Sequence, residues 1–342
     1  MQNLLAAMAP RFVDSSTAGR VSRLVAGPLR RRLSTPVCRA HVRQRGLTLV
    51  ELMVAMVIGL VIVVASTAAL LAARRGFTAV DASSQLRENT RFTVDILQRI
   101  VAQAGFEDVA GGHSSTRMSE LKPAAIRGYD NALVRTGALP NVVNNSRTAD
   151  CSVIDTSCQN GSDVLMVRYW GVSSAAASAP ADGSIINCAG VEEPSGTDRA
   201  YSIFHVKQGA SGEPSLFCTY FAGGAWVDQL LVSGVEGLQV LYARDMNDDG
   251  VADRYVHAAE LEVAGNAAET EKNWQSVRSV RIGLLLRGPV GSAQGPASSP
   301  IGVLGPGFQD PADVGAELAI ADDRRLRQQL VLTVYLRNPP AH

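Results

Sequence analysis

An acidic segment in the C-terminal third of the chain has oxygen-bearing groups at regular spacing. They stand at loop positions 1, 3, 5, 7 and 9: Asp245, Asn247, Asp249, the main-chain carbonyl of Val251, and Asp253. Ca²⁺ prefers about six to eight oxygen ligands, and Gly250 at position 6 permits the sharp turn that a calcium loop needs. Position 12 is Val256 instead of the usual bidentate Glu, so the match is partial. The sequence predicts a calcium site of modest affinity, and the alternative is a polar Asp-Gly hairpin turn.

Four cysteines follow the apolar run described below, and Cys38 precedes it. An even number of cysteines outside the cytoplasm favours disulfides. Proximity along the chain favours the pairs Cys151–Cys158 and Cys188–Cys218 among the connectivities that four cysteines allow. Zinc is the alternative, but Cys151 and Cys158 lie seven residues apart and lack the usual CxxC spacing.

No arrangement of residues in the sequence is typical of a catalytic centre. The histidines after the apolar run are dispersed, at His113, His205, His257 and His342. The chain has no HExxH pair, no GxSxG elbow and no glycine-rich phosphate loop. We therefore expect a protein that is not an enzyme and has no cofactor other than the candidate calcium ion.

The elements that must position these residues begin with an apolar run. Residues 52–73 are 22 consecutive residues without a charge, between Glu51 and Arg74. At about 1.5 Å per residue, a helix of this length crosses the roughly 30 Å hydrocarbon core of a membrane. A cleaved secretory signal, which is the alternative, has a shorter apolar region of about 7–15 residues. The sequence predicts a single membrane span.

The formal net charge of zero hides two parts of opposite sign. Residues 1–46 carry nine Arg and one acid, whereas the remaining 296 residues carry 23 basic and 31 acidic residues. A basic segment before an apolar run is typical of a topogenic signal, and it places the N-terminal side in the cytoplasm. We expect no nucleic-acid partner, because the body of the protein is acidic.

Glu51 opens the apolar run, and a carboxylate at membrane depth costs about 2.5–3.5 kcal/mol without a partner. The string RGLTLVEL at residues 45–52 resembles the class III signal of type IV pilins and type II secretion pseudopilins. That resemblance implies that a prepilin peptidase cleaves between Gly46 and Leu47 and that the new amine of Leu47 is methylated. It also implies that Glu51 pairs with the N-terminal amine of a neighbouring subunit.

The sequence divides into three segments. We expect a leader at 1–46, a long helix at 47–105 that spans the membrane at about 52–73, and a β-rich periplasmic domain at 106–342. Apolar residues from 77 to 104 recur at helical spacing, so the second half of the helix is amphipathic. Runs rich in β-branched and aromatic residues predict strands at 163–170, 201–207, 215–221, 237–244, 277–286 and 330–336. The predicted fold is α+β, with one long helix packed on a mostly antiparallel sheet.

Four further strings together resemble the PilW family of minor pilins. They are QAGF at 103–106, SDVLMVRYW at 162–170, VEGLQVLY at 235–242 and TVYLRN at 333–338. The resemblance implies a type IV pilin-like fold and a minor pilin that takes part in priming pilus assembly, with the pilus tip as one location. The resemblance leaves open whether the pilus serves twitching motility, DNA uptake or cell adhesion.

The resemblance also implies partners and a location. The partners are other minor pilins, the major pilin, prepilin peptidase and the inner-membrane assembly platform. The protein would cross the bacterial inner membrane once, with its C-terminal domain in the periplasm, before it enters the filament. Two alternatives remain open, a minor pseudopilin of a type II secretion system and a membrane-anchored periplasmic binding protein or adhesin.

Overall fold

The computed structural model describes residues 46–107, 123–137, 141–174, 180–195, 199–293, 295 and 299–338. Of the leader predicted at 1–46, only Gly46 is among them. The chain divides into two compact units, one up to Ile62 and one from Val63 onward.

The first unit contains the start of the long helix α1. The hydroxyl of Thr48 accepts a hydrogen bond from the main-chain N–H of Glu51 at 3.2 Å, and α1 begins at Leu49. Such a cap satisfies one of the N–H groups that the first turn of a helix leaves unpaired. From Leu49 to Ile62 the large apolar side chains are 52–74% exposed. Within the described residues, α1 is the one helix that is long and apolar enough to cross a membrane.

The rest of α1 belongs to the second unit and ends at Ala102. Its buried positions recur at helical spacing: Ala82, Leu86, Thr93, Leu97, Ile100 and Val101. This spacing places them on one face, while Arg87, Glu88 and Arg91 remain exposed on the other. The second half of the helix therefore packs on its own domain, as its amphipathic sequence predicts.

The end of α1 is fixed by contacts from distant parts of the chain. Gly105 has a φ of +70° and donates its N–H to the carbonyl of Arg168 at 2.9 Å. A Cβ on Gly105 would lie 2.5 Å from the carbonyl oxygen of Asn338, so only glycine fits here. The side-chain amide of Asn338 donates to the carbonyl of Ala104 at 3.2 Å. The last described residue of the chain therefore closes the end of its first helix.

The remaining elements of the second unit are mostly strands. In chain order they are β1 (Ile126–Tyr129), β2 (Leu133–Arg135), β3 (Asn141–Val143), β4 (Val164–Tyr169), β5 (Ala200–Gln208), β6 (Pro214–Ala222), β7 (Ala225–Ser233), β8 (Val235–Arg244), β9 (Arg254–Val256), α2 (Ala258–Leu261), α3 (Ala267–Gln275), β10 (Val277–Arg287), β11 (Ile301–Gly302), β12 (Glu317–Leu318) and β13 (Arg327–Tyr335).

These strands form two main antiparallel sheets. The larger has the order β1-β4-β5-β6-β7, the other has the order β13-β10-β8-β9, and β2 with β3 and β11 with β12 make two small hairpins. Leu284 at the centre of β10 lies opposite Leu238 of β8 and Leu330 of β13. A strand paired on both sides in this way is held by its main chain as well as by its side chains.

One cluster of buried side chains joins α1, both sheets and the short helices. It includes Leu97 of α1, Phe204 of β5, Leu284 of β10 and Trp274 of α3. The ring of Trp274 packs edge-to-face on Tyr242, with 4.8 Å between the ring centroids. Helix and sheets therefore share one core.

A buried carboxylate connects the two sheets. Asp163, just before β4, accepts one hydrogen bond from the N–H of Asn131 at 2.9 Å and one from the N–H of Val240 at 2.8 Å. The N–H of Asp163 also donates to the carbonyl of Leu238 at 2.8 Å. Asp163 directly precedes β4 of the larger sheet, and Val240 lies in β8 of the other sheet, so these bonds join the two sheets. They also pair main-chain groups that would otherwise be buried without a partner.

Six alternating charges form a closed ring at one end of the second sheet. Neighbours in the ring lie 2.7–3.6 Å apart, in the order Glu213, Arg287, Glu236, Arg327, Asp323, Arg325 and back to Glu213. The side chains of Arg327 and Glu236 are only 5% and 8% exposed. Each charge has two partners of opposite sign, so the ring links the β5–β6 turn to the ends of β8, β10 and β13 without leaving a buried charge unpaired.

The structure confirms the predicted α+β fold with one long helix and antiparallel sheets. Each predicted strand overlaps an observed one. The prediction missed β7, the helices α2 and α3, and the short strands β1, β2, β3, β9, β11 and β12. Strand β7 follows β6 through Gly223 and Gly224, which both have positive φ. Two such residues between apolar runs favour a tight hairpin turn, so the signal for β7 was present in the sequence.

The packing of α1 on the sheets predicts a large cost for Leu97→Ala. Leu97 is fully buried, so this change leaves a cavity and should lower the free energy of unfolding by about 2–5 kcal/mol. Thermal or denaturant unfolding of the full chain in detergent measures the difference. Leu70→Ala is the matched control, because Leu70 lies on the same helix but is 55% exposed. Equal losses in the two variants would contradict this account of the core.

Candidate functional site

The segment predicted to be cut and paired lies at the start of α1. Gly46, Leu47 and Thr48 precede the helix and are exposed, with Leu47 72% exposed. The peptide bond between Gly46 and Leu47 is exposed and lies outside the helix, so it is accessible to a peptidase. Glu51 lies in the first turn of α1, where the helix dipole favours a negative charge.

Cleavage at Gly46 would change the charge at this helix end. The new amine of Leu47 would carry a positive charge two residues before α1, where the dipole is already positive. The carboxylate of Glu51 has no ion-pair partner in the described part of the chain. In apolar surroundings both charges need a counter-ion, because their attraction to water is lost there. The segment therefore carries two complementary charges that a second subunit can pair.

The first disulfide closes a short exposed loop. Cys151 is bonded to Cys158, and both sulfurs are buried beside Leu133. Between them lies a single 3-10 turn, Cys151–Val153, which the Asp150 side chain caps by accepting from the N–H of Ser152 at 2.9 Å. The bond holds this turn against the β1–β2 segment.

The second disulfide joins a loop to the larger sheet. Cys188 is bonded to Cys218 in the middle of β6, thirty residues further along the chain. The N–H of Cys188 also donates to the hydroxyl of Ser202 on β5 at 2.9 Å. The pairing is the one that chain proximity favours, and neither pair has the form of a zinc site.

The acidic loop between β8 and β9 is shaped by hydrogen bonds to its own carboxylate and amide oxygens. Asp245 accepts from the N–H of Gly250 at 2.9 Å, Asn247 from the N–H of Asp249 at 3.1 Å, and Asp249 from the N–H of Val251 at 2.8 Å. Asp253 accepts from the N–H of Met246 at 2.7 Å. The loop therefore makes the compact turn that the sequence predicts.

The ligand set for calcium is not assembled in this form of the loop. Asp245 is buried, and its carboxylate binds the guanidinium of Arg278 with an N–O distance of 2.9 Å. No group of three or more His, Cys, Asp or Glu side chains gathers as metal ligands within the described residues. A calcium-bound form requires the oxygens of Asp245, Asp249 and Asp253 to converge on one ion. Calcium binding at this loop stays a prediction.

Sequence reasoning missed the partners of two histidines. His205 is fully buried on β5, and its Nε2 lies 2.9 Å from the hydroxyl of Thr219. His257 lies 3.5 Å from a carboxylate oxygen of Asp313. In each case the partner lies 14 or more residues away, so no local spacing in the sequence indicates it. His205 and His257 therefore each lie beside a polar side chain that is distant in the sequence.

Two family models match the chain. Residues 42–67 match the Prokaryotic N-terminal methylation motif, and residues 203–338 match the Type IV Pilus-assembly protein W family. The chain is thus similar to the PilW family over somewhat less than half of its length. Together the two matches support a minor pilin role in type IV pili. The methylation motif contains Gly46, Leu47 and Glu51. The PilW match contains most of β5, the strands from β6 to β13 and the acidic loop.

Solved structures similar to this chain include a type IV-like pilin. It is the Type IV-like pilin TTHA1219 from Thermus thermophilus, which is 14% identical. The alignment covers 74% of this chain and 97% of that chain, with a TM-score of 0.36. No curated protein matches the chain by sequence.

The predicted calcium site is testable by calorimetry on the full chain in detergent. Millimolar Ca²⁺ should release heat, and Asp249→Ala should abolish that heat because position 5 is a ligand position in such loops. Asp248→Asn is the matched control, since it also removes one negative charge but stands at a position that supplies no ligand. Absence of heat in the wild type, or equal loss in both variants, would contradict the prediction.

Proposed function

We propose that this PilW-like protein enters the bacterial inner membrane by α1, is cut after Gly46, and then packs by α1 with other pilins to prime the filament. The observation that carries the proposal is the apolar first part of α1, which is exposed within the described residues and has the acid Glu51 in its first turn. A protein that only needs an anchor has no use for an acid in that position.

The first step in this proposal is processing. Prepilin peptidase cuts the exposed bond between Gly46 and Leu47, which removes the arginine-rich leader and frees the amine of Leu47. Methylation of that amine keeps its positive charge. The arginines before the cut favour a cytoplasmic position for the leader, so the C-terminal domain faces the periplasm.

The second step is subunit pairing. When two copies of this type of helix lie side by side in an apolar environment, the Glu51 carboxylate of one attracts the Leu47 amine of the next. The attraction is strong there because the effective dielectric constant is low. It sets the axial offset between subunits, while the apolar side chains from Leu49 to Ile62 bury one another. The partners are other minor pilins, the major pilin and the inner-membrane assembly platform.

This proposal gives the C-terminal domain a structural role, not an enzymatic one. A subunit that starts the filament remains at its outer end as further subunits are added beneath it, which places this domain at the pilus tip. Two disulfides and a ring of ion pairs suit a domain that is exposed outside the cell.

Processing is tested by the N-terminal sequence and intact mass of the chain expressed with and without prepilin peptidase. We expect a start at Leu47 only when the peptidase is present, and an uncut chain for Gly46→Val under the same conditions. Leu49→Val is the control, because it changes an apolar residue beyond the cut and should be processed normally. A peptidase-independent cut, or one beyond Ala73, would contradict the pilin pathway.

Subunit pairing is tested by Glu51→Gln, which removes the charge and keeps the size of the side chain. We expect normal processing but at least about a tenfold loss of this protein from purified pili, because an unpaired amine in apolar surroundings is costly. Quantitative mass spectrometry of sheared pili gives the measurement. Glu88→Gln is the control, since Glu88 is an exposed acid further along the same helix. Normal incorporation of the Glu51 variant would refute the pairing role.

A further inference from the structure

The segment 303–316 contains a buried acid whose carboxylate accepts no hydrogen bond within the described residues. Asp313 is 5% exposed, and neither of its carboxylate oxygens accepts a hydrogen bond within the described residues. A buried carboxylate in this situation loses its interaction with water and gains nothing in return. The ring of His257 faces this carboxylate, with its Nδ1 3.5 Å from Asp313 Oδ2.

Other acids surround Asp313 from several elements. Asp130, after β1, accepts from the N–H groups of Ala258 and Ala259 at 3.0 and 2.8 Å and so fixes the start of α2 beside His257. Asp163 lies just before β4 and interacts electrostatically with both Asp130 and Asp313. Three buried carboxyl groups therefore share one region, and their mutual repulsion favours a proton on at least one of them.

One arginine opposes this repulsion, but it is occupied by other acids. Arg147 forms an ion pair with Asp310 and lies 3.8 Å from Glu260 at the start of α2. Its main-chain carbonyl accepts from the N–H of Val314 at 2.8 Å, a second contact that holds the segment beside Asp313. The balance of charge around Asp313 therefore remains negative unless a proton is bound.

We propose that Asp313 and His257 form a proton-dependent latch, which keeps the segment 303–316 docked on α2 while the pair holds a proton and releases it when the proton leaves. The proton sits on Asp313 or on His257, and in either form the two side chains attract each other. Without it, the Asp313 carboxylate faces Asp130 and Asp163 with only Arg147 to oppose their repulsion. Release of the segment moves Val314 and Gly315, which line a cleft of about 330 Å³ next to the Cys151–Cys158 loop.

The direction of the pH dependence follows from the surroundings of the two groups. Burial, and then the nearby Asp130 carboxylate, raises the pKa of Asp313 to about 7. Burial lowers the pKa of His257, while Asp130 acts in the opposite direction. Between pH 4 and 7 the docked Asp313 holds a proton that a released Asp313 does not hold. Docking is therefore strongest at low pH and weakens as pH rises toward 7.

Hydrogen–deuterium exchange of the full chain in detergent tests the latch. Opening constants of amides in 303–316, corrected for the intrinsic exchange rate, are compared for the wild type and Asp313→Asn at pH 6 and pH 8. We expect the ratio of wild-type to variant opening constants to rise about tenfold over this range, as a group with a pKa near 7 requires. The comparison between the two chains cancels the titration of other groups.

Asp322→Asn is the control, because Asp322 is an exposed acid outside the segment, and its ratio to the wild type should stay constant. If Asp313→Asn does not fold, Asp313→Ser supplies a smaller neutral side chain for the same comparison. A ratio that changes less than about twofold between pH 6 and pH 8 would overturn the latch. So would a pH-dependent ratio of equal size in the Asp322 variant.

Discussion

Water solvates apolar side chains poorly, and the first part of α1 presents an unbroken surface of them. From Leu49 to Ile62 the helix has no cover within the described chain. Further along, the same helix buries Leu97, Ile100 and Val101 completely. One continuous helix thus has two apolar parts. Its own domain buries the second part, and lipid or other helices must bury the first. Membrane anchoring and filament assembly are two ways to bury the apolar first part of α1.

The domain that α1 carries is held together by polar contacts as much as by its core. Asp163 joins the two sheets through main-chain hydrogen bonds, and the ring of six charges ties strand ends together. Such contacts are directional, whereas apolar packing tolerates sliding. These polar contacts fix the positions of the two sheets and so define the surface on which the second half of α1 packs. The disulfides add the same kind of constraint to the loops outside the sheets.

Much of this fold was readable from the sequence because it depends on local patterns. The uncharged run at 52–73 and the helical spacing up to residue 104 predict α1, and β-branched runs predict the central strands. Strand β7 was missed because Gln229 and Asp228 interrupt its apolar pattern at an exposed sheet edge. Helix α2 has only four residues and begins where Asp130, over 120 residues earlier, binds its first N–H groups. A single sequence contains no signal for such a contact.

The candidate functional residues show the same difference between local sequence patterns and long-range contacts. Gly46, Leu47 and Glu51 form a motif within six residues, so the sequence indicates them directly. The pairing of His257 with Asp313 depends on a segment that returns to α2 only after β10, and neither residue belongs to a recognisable motif. The acidic loop lies between these cases, since its turn was predictable but the ion pair of Asp245 with Arg278 was not. Short-range chemistry is therefore readable from the sequence, whereas long-range chemistry requires the fold.

The contact between Asn338 and Ala104 has a consequence for the order of events as the chain is made. These residues are 234 positions apart, and β13, which precedes Asn338, contributes Leu332 and Val334 to the core under α1. A ribosome releases α1 long before it releases β13, so the groove for the helix is incomplete during most of synthesis. Contacts of such long range also form late in folding, because closing a long loop costs entropy. Until β13 is made, α1 lacks part of the surface on which it docks, so in the proposed pathway insertion and trimming can precede docking.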